Sequence, residues 1–135
     1  MLLEEENLPP SLLKNKIEYI QTVNQGISGN IVKQAVKQLD QRDLFVRLLE
    51  TDSANLSRFY SKKTLTRSQS EGILDFLRLF QKATEVFDNS DLAKEWLQTR
   101  LPVLNGECAI DLCDTFEGRK LVTETLDAIE YGEFS

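Results

Sequence analysis

Apolar side chains recur at helical spacing along almost the whole of this chain, and the longest such series follows Thr66. In that series one threonine and four apolar residues fall at i, i+4, i+7, i+11 and i+14: Ile73, Leu77, Phe80, Thr84 and Phe87. This spacing places them on one face of a helix, and no stretch alternates as a half-buried strand would. The pattern predicts an all-α fold with a long central helix, which Thr66 can cap at its N-terminus.

Three shorter series before the long helix predict three further helices. The first opens at Pro9-Pro10-Ser11 and ends at Gly26, because proline favours a first helical turn and glycine a last one. Its predicted core face holds three apolar residues: Leu13, Ile17 and Ile20. The second helix repeats four apolar residues at helical spacing: Ile31, Ala35, Val36 and Leu39. Asp40 can cap the third, which runs to Glu50.

Two helices are predicted after the long one. Asn89 is the predicted N-cap of the first, on which Trp96 is expected to anchor the core, and Thr115 is the predicted N-cap of the second. The core face of the second should hold four apolar residues: Leu121, Val122, Leu126 and Ile129. Gly132 stands where a glycine commonly ends a helix. Between the two helices, residues 102–106 carry Pro and Gly and therefore predict an irregular loop.

The formal charge of −6 is divided unevenly along the chain. Residues 1–70 carry ten basic and eight acidic residues, a balance of +2, whereas residues 71–135 carry six and fourteen, a balance of −8. Such asymmetry suggests nucleic acid at one end and a different partner at the other. We therefore expect an N-terminal helical region over 1–70 and a C-terminal domain over 71–135, joined by the long helix.

The composition leaves little material for catalysis or for a metal site. The chain has no histidine and two cysteines, Cys108 and Cys113, which make a poor zinc site. It has no glycine-rich phosphate loop and no Asp-x-Asp spacing of the kind that binds calcium. We therefore expect no catalytic residues, no cofactor, no metal and no enzymatic activity.

No apolar run approaches the roughly 20 residues that span a bilayer. The N-terminus, Met1 to Glu6, is acidic where a signal peptide would be basic. These features predict a cytoplasmic protein without a membrane partner.

Residues 40–63 fit the layout of a helix-turn-helix: a helix to Glu50, a short turn, and a short second helix over 53–62. Residues 53–70 contain four basic and no acidic side chains. Asn can read adenine, Arg can read guanine, and Lys suits phosphates. The predicted DNA contacts are six residues: Asn55, Ser57, Arg58, Lys62, Lys63 and Arg67. A basic, solvated face on a helical hairpin is the alternative.

The end of the chain carries two aromatic residues, Tyr131 and Phe134, on either side of Gly132. Aromatic residues with nothing after them to cover them suit a partner or a second copy of the chain, because aromatic residues are enriched among binding hot spots. The alternative is that they fold back onto the last helix.

An ordered series of short elements in the C-terminal half resembles the toxin-binding domain of the Xre/MbcA/ParS-type antitoxins, the partners of RES-domain toxins. The elements are Ala93 to Leu97, Leu104-Asn105-Gly106, Ala109 to Leu112, Thr115 to Gly118, and Ile129 to Ser135. The resemblance covers Gly26 to Ser135, and in the N-terminal part it follows the layout of an Xre-like helix-turn-helix more than its residues.

Two positions depart from the family pattern. Asn105 stands where the first glycine of the loop usually is, and because Asn tolerates the left-handed conformation the turn can survive. Ala109 stands where a proline is usual, which makes the loop less rigid.

The resemblance implies a homodimeric antitoxin that covers the route to the NAD pocket of a RES-domain toxin, an enzyme that consumes or transfers ADP-ribose. It also implies binding to operator DNA and repression of its own operon. The predicted toxin contacts are eight residues: Leu104, Asn105, Gly106, Tyr131, Gly132, Glu133, Phe134 and Ser135. Two alternatives remain: a stand-alone helix-turn-helix regulator with a helical dimerisation domain, and an interaction protein whose helix-turn-helix no longer binds DNA.

Overall fold

The computed structural model describes residues 11–132, and that range is helical and without strands, as the sequence predicts. The described residues form seven α-helices: α1 (Lys16–Gln25), α2 (Gly29–Leu39), α3 (Arg42–Leu48), α4 (Arg67–Phe87), α5 (Ser90–Leu97), α6 (Ala109–Leu112) and α7 (Phe116–Glu130). Two 3₁₀ helices interrupt the connections, at Leu56–Phe59 and Pro102–Leu104. The chain divides into two compact units between Leu74 and Asp75, within α4.

In the N-terminal unit, α1 begins one turn later than predicted and buries a different face. Asn15 is its N-cap and accepts a hydrogen bond from the Glu18 backbone N–H at 3.0 Å, whereas Pro9 and Pro10 lie outside the described residues. The predicted core residues Ile17 and Ile20 are 64% and 53% exposed. The buried ones are Tyr19 and Val23. Leu13 is buried as predicted, but it lies in the turn before the helix, so the face of α1 does not continue from it and the prediction was wrong for Ile17 and Ile20. Gly26, at φ +86°, ends α1 as predicted.

The connection between α2 and α3 is tighter than predicted. Helix α2 buries Ile31, Ala35 and Leu39 as expected, and Val32 instead of Val36. Asp40 does not cap α3; it ends α2 in the left-handed conformation, with φ 54°. Asp40 is therefore the last residue of the α2 end, and the next residue, Gln41, takes the N-cap position of α3.

The second helix of the predicted helix-turn-helix is much shorter than the sequence suggested. The expected helix over 53–62 is a single 3₁₀ turn, Leu56–Phe59, flanked by other turns. Bonds at the two ends of this stretch hold it in place. The Asp52 carboxylate accepts from the Asn55 backbone N–H at 2.9 Å, and the Lys62 carbonyl accepts from the distant Gly29 N–H at 2.8 Å.

Helix α4 starts at a reciprocal cap. Thr66 Oγ1 accepts from the Gln69 N–H and Gln69 Oε1 accepts from the Thr66 N–H, each at 3.1 Å, so two backbone donors are satisfied. The predicted cap at Thr66 is confirmed. The helix buries more of its circumference than the predicted stripe, at seven positions: Ser70, Ile73, Leu74, Phe76, Leu77, Leu79 and Ala83.

The C-terminal unit follows its predicted caps closely. Asn89 Oδ1 accepts from the Leu92 N–H at 3.0 Å, and Thr115 Oγ1 accepts from the Gly118 N–H at 2.9 Å, so both predicted N-caps are confirmed. The predicted core face of α7 is partly wrong. Leu121 is 44% exposed, while Arg119 and Thr125 are buried.

Arg119 is buried because its charge is paired. Its Nε donates to Asp75 Oδ2 at 2.6 Å, and its Nη1 donates to the Cys113 carbonyl at 3.0 Å. Asp75 also accepts from Arg78 at 2.6 Å. A basic residue on the apolar face of α7 is therefore a structural cation that holds α7 to the middle of α4.

Among the described residues, no helix combines the length and the apolarity that crossing a bilayer requires.

Candidate binding surfaces

The loop after α5 is a compact, hydrogen-bonded turn. Pro102 opens the 3₁₀ helix, which Asn105 ends at φ 59° and Gly106 follows at φ 80°. The Leu101 N–H donates to the Glu107 carbonyl at 3.1 Å, and the Leu101 carbonyl accepts from the Gly106 N–H at 3.0 Å. Asn105 therefore adopts the left-handed conformation expected of it, and the turn survives without the usual first glycine.

The predicted contact residues of this loop do not all face outward. Leu104 is only 4% exposed and belongs to the core of the unit, whereas Asn105 and Gly106 are exposed. Val103, which the sequence did not single out, is 56% exposed. The outer surface of the loop therefore consists of Val103, Asn105 and Gly106, held in place by the buried Leu104.

The end of α7 exposes the first two of its predicted contact residues. Tyr131 is 71% exposed, and Gly132 follows in the left-handed conformation, with φ 67°. This confirms the prediction that glycine ends the helix. The predicted contacts Glu133, Phe134 and Ser135 lie outside the described residues.

A groove of about 390 Å³ runs beside the loop and the last turns of α7. Six residues line it: Trp96, Leu101, Pro102, Val103, Thr125 and Ile129. Trp96 is half-buried, its ring centroid 5.7 Å from that of Phe87, while the fully buried residues of α5 are Ala93 and Leu97. The predicted core tryptophan is thus one wall of an apolar groove, hereafter the Trp96 groove.

Sequence reasoning missed this groove for a physical reason. Val103 and Ile129 are 26 positions apart and share no periodic pattern, so only tertiary structure brings them to one surface. The lone tryptophan, beside a proline-containing loop, was the available signal.

In the N-terminal unit, the predicted DNA contacts stand in a stretch of turns. Five of them are exposed: Ser57, Arg58, Lys62, Lys63 and Arg67. The Lys62 ammonium lies 4.8 Å from the centroid of the Phe59 ring, a cation–π distance. The basic residues of 58–67 therefore project from a folded surface, hereafter the basic face.

Asn55 is less available for reading bases than the sequence suggested. Its side-chain amide donates to both oxygens of Asp52 at 2.9 Å. A bidentate contact with adenine would require breaking this pair. The Arg42 guanidinium donates to the Ser53 carbonyl at 2.7 Å, which holds the same turn against α3.

Within residues 11–132, no group of three or more His, Cys, Asp or Glu side chains could hold a metal ion. The ion pairs of the C-terminal unit include two that join α4 to α7, at Arg119 and at Lys82. Lys82 of α4 contacts Asp127 at 2.5 Å and Glu130 at 3.7 Å. The hydrogen bond to Asp127, with the charges of Asp127 and Glu130, raises the pKa of Lys82 above its usual 10.5.

Comparison with known proteins assigns the C-terminal surface to a class. Residues 82–132 match the model of the antitoxin Xre/MbcA/ParS C-terminal toxin-binding domain. The chain is also 28% identical, over 131 residues, to the Prs ADP-ribosylating antitoxin of Sphingobium sp. (strain YBL2), covering 88% of this chain and 82% of that relative. The matched segment contains the loop, the Trp96 groove and α7.

The helical fold, the matched C-terminal domain and this relative support an Xre/MbcA/ParS-type antitoxin, as the sequence elements predicted.

Proposed function

We propose that this antitoxin neutralises a RES-domain toxin that consumes NAD or transfers ADP-ribose from it, by covering access to the toxin's active site. The match of residues 82–132 to a toxin-binding domain carries this proposal, and the similarity to an antitoxin named as ADP-ribosylating supports the toxin chemistry. The contact surface is the outer face of the Asn105-Gly106 turn together with the chain from Tyr131 onward.

The charge of the C-terminal half supports the same partner. Residues 71–135 have a net charge of −8. A toxin that binds the phosphates of a dinucleotide is expected to carry basic residues around the entrance to its pocket. Complementary charge would speed association and make it dependent on salt.

Co-expression with the RES-domain toxin encoded in the same operon tests the role of residues 130–135, hereafter the tail. Full-length antitoxin should restore growth, whereas a chain ending at Ile129 should not. The Tyr131→Ala variant keeps every other residue to Ser135 and tests the loss of the aromatic side chain alone. Equal rescue by the truncated and the full-length chains would remove the tail from the toxin contact.

The electrostatic part needs its own measurement. Replacing Glu130 and Glu133 together by Gln should weaken toxin binding and flatten its salt dependence. Replacing the exposed Glu117 and Glu124 by Gln removes the same charge from the first turns of α7 and serves as the matched control. Unchanged affinity and salt slope in the first variant would refute the charge argument.

We further propose that the antitoxin, as a homodimer in the cytoplasm, binds its operator through the N-terminal region 1–70, while the domain over 71–135 binds toxin and contributes to the dimer. The basic face favours DNA, because residues 53–70 carry four cations and no carboxylate. The short 3₁₀ turn favours phosphate contacts by Arg58, Lys62, Lys63 and Arg67 over base reading by Asn55.

Binding to the DNA upstream of the operon tests this second role. Replacing Lys62 and Lys63 by Ala should lower the slope of log affinity against log salt by about 1 for each phosphate that is no longer neutralised. The matched control replaces Lys33 and Lys37, two exposed lysines on α2, by Ala. No specific retardation of operator DNA by the wild-type chain would favour a pure interaction protein. Repression without toxin binding would favour a stand-alone regulator.

A further inference from the structure

We propose that the Trp96 groove receives an apolar side chain of the toxin, from a segment that carries basic residues beside it. This inference rests on the proposed toxin binding and extends it. It names a docking point outside the predicted turn and tail, and it states the chemistry of the segment that docks.

The lining of the groove defines the occupant's chemistry. Five of its six residues are apolar, and the sixth, Thr125, already donates its hydroxyl to the Leu121 carbonyl at 2.9 Å. A polar group placed there would lose its hydration without gaining a partner, whereas an apolar side chain would lose nothing. Release of water from this apolar lining favours binding of an apolar side chain.

The walls of the groove are formed in advance. Pro102 opens the 3₁₀ helix, and the hydrogen bonds of Leu101 with Gly106 and Glu107 close the loop on itself. The Trp96 ring lies against Phe87 at an interplanar angle of 41°. Because these residues are already ordered, filling the groove with a docking side chain costs little conformational entropy.

The location of the groove points to the toxin. All six lining residues fall within 82–132, the segment that matches the toxin-binding domain. Val103 and Ile129 also adjoin the predicted contact surface in the chain, two positions from Asn105 and Tyr131 respectively. Two lining residues of the groove therefore lie close in sequence to the predicted contacts Asn105 and Tyr131.

The charge around the groove argues against a second copy of the antitoxin as its occupant. Exposed Glu95 and Glu130 are the chain neighbours of Trp96 and Ile129, in a domain with a balance of −8 over 71–135. Two such faces brought together would repel, whereas a partner with cations beside its apolar side chain would be attracted. The inference therefore commits to the toxin.

Val103→Arg tests the inference directly, with Phe116→Arg as the matched control. Both residues are exposed, at 56% and 64%, so neither substitution should unfold the domain. Phe116 begins α7, about 20 Å along the helix from Ile129 at 1.5 Å per residue. Titration calorimetry with the operon's RES-domain toxin, inactivated at its active site, should show at least 30-fold weaker binding for Val103→Arg. Binding by Phe116→Arg should change less than threefold.

Trp96 supplies an independent readout because it is the only tryptophan. An antitoxin labelled with 5-fluorotryptophan gives a single ¹⁹F resonance, whose H₂O/D₂O isotope shift reports exposure to water. Toxin should abolish that isotope shift in the wild type and in Phe116→Arg. In Val103→Arg at saturating toxin, the shift should persist.

The outcomes separate the two proposals. If the wild type binds toxin and Val103→Arg binds equally well, the groove inference is overturned and the proposed function stands. If the wild type does not bind a RES-domain toxin at all, the proposed function itself fails. If Val103→Arg, without toxin, shifts the sedimentation mass from dimer to monomer, the occupant is a second copy and the inference is overturned.

Discussion

The two units of this antitoxin use their basic residues in opposite ways. In the N-terminal unit, Arg58, Lys62, Lys63 and Arg67 are exposed on the basic face. In the C-terminal unit, three of the six basic residues of 71–135 contact carboxylates: Arg78, Lys82 and Arg119. The first arrangement leaves positive charge for a partner, whereas the second uses it to hold helices together.

This difference strengthens the charge asymmetry that the sequence already contains. Cations that pair with carboxylates inside a unit contribute little to the field that a partner meets, although the net charge is unchanged. Exposed Glu95 and Glu130 stand beside Trp96 and Ile129 of the Trp96 groove, and exposed Arg100 stands beside Leu101. Four sets of substitutions test this difference between the units, from the largest expected change in the free energy of unfolding to the smallest.

The largest loss of stability is expected at two glycines, one in each unit, where a backbone carbonyl lies too close to leave room for a side chain. A Cβ at Gly29 would overlap the Phe59 carbonyl, and a Cβ at Gly118 would overlap the Leu112 carbonyl. Gly29→Ala and Gly118→Ala should each destabilise by about 3 kcal/mol, because backbone must move in both cases. Amide hydrogen exchange should locate the loss in the N-terminal unit for the first variant and in the C-terminal unit for the second.

Gly72→Ala is the control for these two variants. Its added methyl would meet only Leu48 Cδ2, at an ordinary contact distance of 3.7 Å within the N-terminal unit. Because alanine favours a helix interior over glycine, this variant should be stabilised by about 0.5 to 1 kcal/mol. Destabilisation of Gly72→Ala as large as that of Gly118→Ala would show that helix geometry, rather than carbonyl approach, sets the cost.

The buried ion pair of the C-terminal unit should have the next largest effect. Arg119→Met removes the partner of Asp75 and the donor to the Cys113 carbonyl, and both groups are poorly exposed. Breaking a buried pair costs about 3 to 5 kcal/mol, and because Asp75 keeps Arg78 we expect about 2 kcal/mol.

The neighbouring Lys120 provides the matched control for Arg119. It is exposed, and Lys120→Met should change the free energy of unfolding by less than about 0.5 kcal/mol. Urea denaturation measures both variants. Equal stabilities would mean that Arg119 is not the structural cation described here.

Replacing the helix N-caps should cost less stability, and about the same amount in each unit. Thr66→Ala in the N-terminal unit and Thr115→Ala in the C-terminal unit each remove one acceptor for a helix N–H and should cost about 1 kcal/mol. Thr→Ser at either position keeps the hydroxyl and should restore most of the loss. Failure of serine to rescue would assign the effect to packing of the methyl group.

These caps also show which features of the fold could be predicted from the sequence. Thr66, Asn89 and Thr115 act through bonds within three residues of themselves, so a local pattern was sufficient to find them. Gly26 and Gly132 were predictable for the same reason, since a left-handed helix end is a local conformation.

The errors arose where distant residues decide. Ile17 and Ile20 were assigned to the core, but packing turned Tyr19 and Val23 inward. The stretch 53–62 forms a single 3₁₀ turn instead of an α-helix, and its Lys62 carbonyl accepts from the Gly29 N–H, 33 positions away in the sequence. Leu104 looked like a loop contact and is core, whereas Val103 and Ile129 meet only in the folded groove.

The smallest change in stability is expected on replacing Lys82, which is half-buried, unlike the exposed lysines of the basic face. Its folded pKa is raised above 10.5, chiefly by the hydrogen bond to Asp127, so its contribution to stability is fully present below pH 10.5. That contribution should be lost as the pH rises through the folded pKa. Because Asp127 is 45% exposed, we expect less than about 1 kcal/mol. The difference in free energy of unfolding between the wild type and Lys82→Met, measured from pH 8 to above 10.5, should stay constant and then shrink. Lys63→Met controls for loss of one positive charge, and a difference that grew with pH would show that Lys82 is not held by these carboxylates.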